Sequence, residues 1–336
     1  MLRIFAFLIV SQSVFASSWQ AAYLFDFYST EANYNTLEEE ESLGTGKFYE
    51  LYTQRLDLYY RYNKNWRVLI GSELNYARSS DNIDERSNFL PNNLNLGAEW
   101  GMPTKYGNFS IGNNNYFSLF NVDANTDEAL VGEGASLIHL YGMYQLQIGN
   151  RLGLHTKIGY MSRTDGRSDL STYEANLRLI TMPLILAIGV EAYTSITDDE
   201  LVNSQITRDN VTENVNGGSY HFYSVNPSRM DLVLWGNYAF SESVAARIGY
   251  KSSLSGNNTS KGSSIFFNFY VNFGGNDFAN EALGMNGYSI DEFGDFKILA
   301  DEYKEEKYFE KPKKKKRRRR IRRPRRKKLK SIEDDI

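Results

Sequence analysis

The 336-residue chain contains no cysteine, six prolines and three histidines, and no uninterrupted apolar run of 18 residues. The absence of cysteine excludes disulfides, thiolate metal sites, a cysteine nucleophile and a lipid-modified N-terminal cysteine. Only His139, His155 and His221 are available for imidazole chemistry. The longest apolar candidate, Met182–Val190, is half the length of a spanning helix and is interrupted by Pro183, so the expected mature chain has no helical membrane span.

Aromatic residues, by contrast, are plentiful: 24 Tyr, 20 Phe and 4 Trp. Tyrosine, the commonest of them, suits boundaries between water and apolar phases. The net charge of −3 conceals a strong asymmetry. Residues 311–330 hold 16 Lys/Arg and no acid, and residues 331–336 hold three acids, which leaves 22 bases against 38 acids over residues 1–310, a net of −16. An acidic body precedes a very basic tail. The first eighteen residues, MLRIFAFLIVSQSVFASS, place Arg3 before the apolar stretch Ile4–Val10 and end on small residues around Val14-Phe15-Ala16. That order is expected of a cleaved secretory signal peptide.

Period-two alternation dominates the body. In Ser264–Phe273, Ile265, Phe267, Phe269, Val271 and Phe273 share one face, while Ser264, Phe266, Asn268, Tyr270 and Asn272 share the other. Alternation at 180° per residue is the signal of a strand. Twelve such stretches are expected, near 20–28, 47–62, 66–78, 93–101, 108–120, 135–148, 151–163, 170–180, 184–196, 229–240, 244–254 and 263–273. Their connections take turns. The longer set, 29–46, 79–92, 121–134, 164–169, 197–228 and 255–262, interleaves with short turns such as Gly149-Asn150 and Ser241-Glu242-Ser243. An even strand count puts both ends of the strand array on the short-turn side.

The fold expected from this pattern is all-β: a closed antiparallel transmembrane β-barrel of about 12 strands over residues 19–273. A linker with a short helix over 274–310 and a disordered basic extension over 311–336 follow it. A soluble β-sandwich also alternates, but strands of ten or more residues are long for one and match a tilted crossing of hydrocarbon. Aromatics near strand ends (Tyr59-Tyr60, Tyr62, Trp66, Trp100, Tyr106, Tyr116, Tyr160, Tyr238, Tyr250 and Phe273) are expected to form interfacial girdles. Charges such as Arg151, His155, Lys157 and Arg163 on one side of a strand are costly in a dry core and ordinary in a wet lumen.

The export signal, alternation, loop asymmetry and aromatic-rich last strand ending at Phe273 together resemble Gram-negative outer-membrane β-barrel proteins of the porin-like kind. The resemblance implies contact with outer-membrane lipid and lipopolysaccharide, and residence in the cell outer membrane. It rests on architecture, since no motif singles out one porin, transporter or enzyme family.

With the apolar face outward, the expected lumen carries the cations Arg55, Arg61, Arg67, Lys157, Arg163, Arg178, Arg247 and Lys251, together with His155. The facing acids are Asp57, Glu73, Glu99, Glu174, Glu191 and Asp231. Opposed charges on facing walls focus a field and select solutes, which points to a channel or passive transporter for small polar or charged solutes. The alternative is a structural barrel whose charges pair and fill a narrow lumen. A membrane-embedded lipid hydrolase would need a nucleophile with a base in reach. His221 and Ser224 are three apart and point oppositely on an extended chain, so His221 is expected to be a solvated loop residue and no residue is nominated as catalytic. The acidic runs Glu38–Glu41, Asp127-Glu128 and Asp198–Glu200 lack calcium-loop spacing, and neither a metal nor a cofactor is expected.

The tail KPKKKKRRRRIRRPRRKKLK includes Lys313, Lys314, Lys315, Lys316, Arg317, Arg318, Arg319 and Arg320 as its densest block. Such a block self-repels and lacks apolar content. Behind an export signal its expected partners are peptidoglycan or anionic lipid, which it would tether to the barrel. Nucleic acid is disfavoured, because no aromatic interrupts the run to stack on bases.

Overall fold

In the computed structural model, the structure describes residues 18–273, apart from 64, 105–106, 123–126, 149–150, 182, 202–203 and 242. The expected linker and basic tail, and the expected signal segment apart from Ser18, lie outside the described residues. Thirteen strands are found among them: β1 Ser18–Tyr34, β2 Glu40–Ser42, β3 Lys47–Arg61, β4 Trp66–Asp81, β5 Glu85–Thr104, β6 Gly107–Ser118, β7 Leu137–Ile148, β8 Leu152–Arg163, β9 Leu170–Thr181, β10 Leu184–Ser195, β11 Ser228–Ser241, β12 Val244–Asn257 and β13 Thr259–Phe273. A single helix, α1, spans Gln205–Val215 among the described residues.

All strand pairs are antiparallel, and the sheet closes on itself. β1 pairs with β3 on one side and with β13 on the other, from Trp19↔Phe273 to Tyr34↔Thr259. The short β2 lies outside the ring and pairs only with the last residues of β1. The result is a closed barrel of twelve strands. Closure matters because a sheet edge in hydrocarbon would leave N–H and C=O groups unpaired at several kcal/mol each. Both ends of the strand array, Ser18 and Phe273, lie at the short-turn end.

The alternation sorts side chains by phase. On β13, Ile265, Phe267 and Phe273 are exposed on the outer wall while Ser264, Phe266 and Asn272 are buried inside. Ile158 and Ile248 are more than 60% exposed in the middle of β8 and β12. An apolar belt of this extent is a surface for lipid rather than for water. Tyr62, Trp66, Tyr160, Tyr238 and Phe273 stand out toward the rims of the wall, whereas Tyr250, also expected in the girdle, is exposed at the middle of β12. Tyr59 and Tyr116 depart from the expected girdle. Tyr59 lines the lumen, and Tyr116 shares the inward face of β6 with Asn114.

Strands extend further at the long-loop end than alternation implied. The connection expected over 79–92 shrinks to 82–84, because β4 and β5 stay paired as far as Ser80↔Glu85. The one expected over 255–262 reduces to Asn258, in a left-handed conformation. Apolar alternation marks only the part of a strand that touches hydrocarbon. Beyond it the ladder continues on backbone hydrogen bonds with polar side chains. Pro91, which has no N–H to give a ladder, sits beside a bulge between β4 and β5. The displaced residue, Asn92, donates its side-chain amide to Glu73 at 2.5 Å.

Inside the barrel, small residues make room for large ones. At Gly249 an added Cβ would lie 2.1 Å from the Phe266 ring, which crosses the β12 backbone there. If the outer wall meets hydrocarbon, Ile158→Lys at mid-strand costs about 2–4 kcal/mol. The expected outcome is a lower temperature for loss of the compact, heat-modifiable band in detergent electrophoresis; an unchanged temperature contradicts the lipid-facing assignment.

Candidate functional site

Two cavities lie between the inward faces of the described residues. The lower one, toward the short turns, has a volume of about 270 Å³ and is lined by Gln20, Arg67, Glu99, Tyr141, His155 and Lys157, among others. The upper one, of about 500 Å³, includes Asp26, Arg55, Asp57, Glu73, Glu191 and Lys251 in its wall and is roofed by Phe222. Tyr59, Glu174, Arg178, Arg247 and Tyr270 border both, and so form a neck between them.

Of the fifteen lumen residues expected from sequence, twelve line one or both cavities; Arg61, Arg163 and Asp231 do not. Many of them are engaged with one another. Arg55 donates to Asp57 at 2.9 Å, Arg67 to Glu99 at 3.0 Å and Lys251 to Glu191 at 2.6 Å. His155 lies 3.2 Å from Glu174, which also accepts from Asn176. Glu99 takes a second bond, from the Tyr141 hydroxyl, and Lys157 sits over the Tyr141 ring at 4.3 Å. Arg178 and Arg247 lie over the Trp235 ring, at 5.5 and 4.2 Å from its centroid. Arg61 is buried near the short-turn end, in register with Arg67. Asp231 accepts from Arg229 at 2.7 Å, and Arg163 reaches up to Glu133 at 3.0 Å and to the Ser168 carbonyl.

The long-loop end is closed by two loops that turn inward. In 119–136, Ala129 and Val131 pack against Tyr28, Tyr49, Leu51 and Ala77 of the wall. The Tyr49 hydroxyl donates to the Leu130 carbonyl, and Asn75 donates to that of Val131. In 196–227, Ser204 caps α1 by accepting from the Thr207 N–H. Val211 and Val215 of α1 pack with Leu130 and Tyr223. Arg208 and Asp199 form an ion pair at 2.8 Å with almost no exposure, while Arg167 lies over the Tyr223 ring. After the helix, Gly217 takes a positive φ and passes so close to Ser80 and Phe48 that a Cβ would meet their carbonyl oxygens at 2.4 and 2.6 Å.

His221, expected to be solvated, is instead drawn into this closure. Its ring stacks on Tyr28 at 4.0 Å and leans on Tyr49 and Phe222. Its Nδ1 lies 3.3 Å from the Ser260 hydroxyl, a neighbour 39 residues away that sequence spacing could not reveal. Ser260 is fully buried, and its hydroxyl is shared with Tyr28 at 2.7 Å and Arg229 at 3.4 Å. Besides Ser260, His221 faces Tyr28, Tyr49 and Phe222, and the charge near it is that of Arg229 with its partner Asp231. Loss of water first and Arg229 second hold the imidazole neutral, its pKa pushed down to about 3 from 6.5.

Sequence reading missed several of these participants. Asp26 and Tyr28 share the inward parity of β1 with Gln20, and Trp235 shares that of β11 with Asp231, so parity alone would have found them. Glu133 and His221 lie on loops and Arg208 on the short helix α1, where strand periodicity does not apply.

A closed ring of twelve antiparallel strands, apolar outside and polar within, is the fold of outer-membrane β-barrel proteins. Among solved structures, the chain is similar to the COG4313 outer-membrane channel from Pseudomonas putida F1, at 14% identity and a TM-score of 0.58, over 78% of this chain and 97% of that one. It also matches the translocator domain of the autotransporter NalP from Neisseria meningitidis, at 11% identity and a TM-score of 0.43, over 81% and 95% of the two chains. The NanC porin matches at 10% identity and a TM-score of 0.41, over 74% and 98%. No family model and no curated protein matches the sequence.

The neutral His221 generates a pH dependence whose sign follows from its lowered pKa. Between about pH 6.5 and 3 the released loop binds a proton that the packed loop does not. The contribution of His221 to closure is therefore complete above pH 6.5 and declines as pH falls through that window. Backbone hydrogen exchange over 216–227, corrected for intrinsic rates, is expected to rise from pH 7 to pH 4.5 in the wild type. It should rise much less in His221→Phe.

Proposed function

We propose that the protein is an outer-membrane channel for small polar or charged solutes, with its short turns and both ends of the strand array in the periplasm and its inward loops at the cell surface. The observation that carries this reading is the pair of adjoining polar cavities, sharing five lining residues, inside a closed wall whose outer face is apolar. A barrel serving only as an anchor has no need of internal water-sized space. The likeness of fold to an outer-membrane channel agrees with it.

A second reading is favoured by a different observation. Arg55, Arg67 and Lys251 each contact a wall carboxylate, and Phe222 of the 196–227 loop roofs the upper cavity. In this reading the barrel is a non-conducting structural element, which its basic tail (Lys313–Arg320 at the core) tethers to peptidoglycan or anionic lipid. Each tail charge near an anionic membrane surface would add on the order of 1 kcal/mol, screened by salt.

Conductance separates the two. Purified protein in a planar bilayer should give discrete single-channel steps. Replacing residues 199–225 by a short Gly–Ser turn should enlarge them several-fold, because Phe222 and the α1 packing no longer obstruct the upper cavity. Silence from both proteins, each shown to be folded by heat-modifiable migration, would favour the structural reading.

A further inference from the structure

The neck between the cavities has a construction that the rest of the lumen lacks. Trp235 points inward from β11, and its register neighbours are Ala187 on β10 and Gly249 on β12, too small to cover the indole. The Phe266 ring fills the space at Gly249, and two guanidinium groups lie over the indole itself. Arg247, from β12, lies 4.2 Å from the ring centroid, and Arg178, from β9 and in register with Ala187, lies 5.5 Å away. Arg247 also approaches Tyr270 at 5.7 Å. Among the described residues no carboxylate forms an ion pair with Arg247, and its buried Nε has no hydrogen-bond partner. In contrast, Arg55, Arg67, Arg229 and Lys251 each hold an acid at 3.0 Å or less.

Stacking a guanidinium on an aromatic face leaves its in-plane N–H groups directed outward at the ring's edge. In that plane, a guanidinium recognises a carboxylate or phosphate with two parallel hydrogen bonds. Holding a cation such as Arg247 on the ring with no acid of its own is unfavourable unless something negative sits nearby. Glu174 borders the neck, but it is already shared with His155 and Asn176. The lower cavity as a whole has four permanent cations in its wall, Arg67, Lys157, Arg178 and Arg247, against two carboxylates, Glu99 and Glu174.

We propose that Arg247 and Arg178, braced on Trp235, form a binding site for the anionic group of a small solute, a carboxylate or an oxyanion such as phosphate. This rests on the channel reading for its role in transport but not for its existence as a site. A solute moving between the cavities must pass these two residues, so the site would favour anions in passage.

Two measurements test it. In detergent, titration with sodium phosphate, and separately with sodium acetate, should quench or shift the emission of Trp235 saturably at constant ionic strength. The acetate and phosphate arms tell which oxyanion class the neck prefers. A Trp235→Phe control, retaining Trp19, Trp66 and Trp100, removes the signal. Arg247→Gln should weaken the better anion by at least about tenfold, the loss of one charge-assisted bidentate contact, and Arg247→Lys by less. In a bilayer under a KCl gradient, the wild type should show a reversal potential displaced toward that of chloride, and Arg247→Gln should move it back toward that of potassium.

Failure of the wild-type protein to bind either anion overturns the proposal, whether or not any variant folds. An equal affinity in a folded Arg247→Gln protein does so too. A wild type that binds anions but conducts nothing overturns the channel reading alone and leaves the site standing.

Discussion

The pairing of β1 with β13 is the constraint on which everything else in this molecule depends. In hydrocarbon no water is available to satisfy an open strand edge, so the ladder from Trp19↔Phe273 to Tyr34↔Thr259 has to form for any of the other strands to be stable in place. The first and last strands are separated by nearly the whole described chain. Their meeting is the most non-local contact in the fold, and the slowest kind to form. Once closed, the ring imposes a strict division. Every odd step along a strand faces one solvent and every even step the other, so a register slip of one residue would place Arg55 or Lys251 in lipid.

That division also explains the character of the interior. A wall that must be polar for half its residues cannot be left dry and unpaired. Arg55 with Asp57, Arg67 with Glu99 and Lys251 with Glu191 satisfy each other at a distance from bulk water. Such pairs are weak sources of stability, because desolvation offsets much of their attraction. What they supply is shape: each fixes two long side chains against the wall and leaves the space between them open. The apolar patch of Ile180, Ile185, Val233, Trp235 and Phe266 shows that the lumen is not uniformly polar. It lies on β9, β10, β11 and β13, around the arginines over Trp235.

How much of this the sequence disclosed follows from which physical signals are periodic. Strand number, order and facing were legible because lipid on one side and water on the other write an alternation into Ser264–Phe273 and its counterparts. The strand ends at the loop side were not. Outside the bilayer both faces are polar, so Ser79–Asp81 and Glu85–Asn88 look like loop although they pair. Tyr59 and Tyr116 were misplaced because nearness to a strand end says nothing about which wall a ring faces. Parity gives the answer, and it had already put Asp57 inside. The inward loops were illegible for another reason. Helix α1 has Ile206 exposed and only Val211 and Val215 packed, too sparse a stripe to register as amphipathic. Its Ser204 cap is local, but what seats it is the Arg208–Asp199 pair and the loop beneath it.

The two levels of the lumen place different demands on a passing solute. At the top, closure is made of packed rings, Tyr28, Tyr49, Phe222 and Tyr223, and of one neutral imidazole, and these can separate only if the loops move as bodies. At the neck, obstruction is made of charge on rigid strands, and no loop needs to move for it to act. If the barrel conducts as proposed, a solute would meet gating and selection at separate heights in it. The separation has a structural cause, since loops join strands only at the rims while the neck lies at mid-wall, where Trp235 of β11 carries Arg178 of β9 and Arg247 of β12 over its ring. Selection by strand-borne side chains is therefore compatible with a mobile entrance, because the register of β9 through β12 fixes the neck whatever the loops above it do.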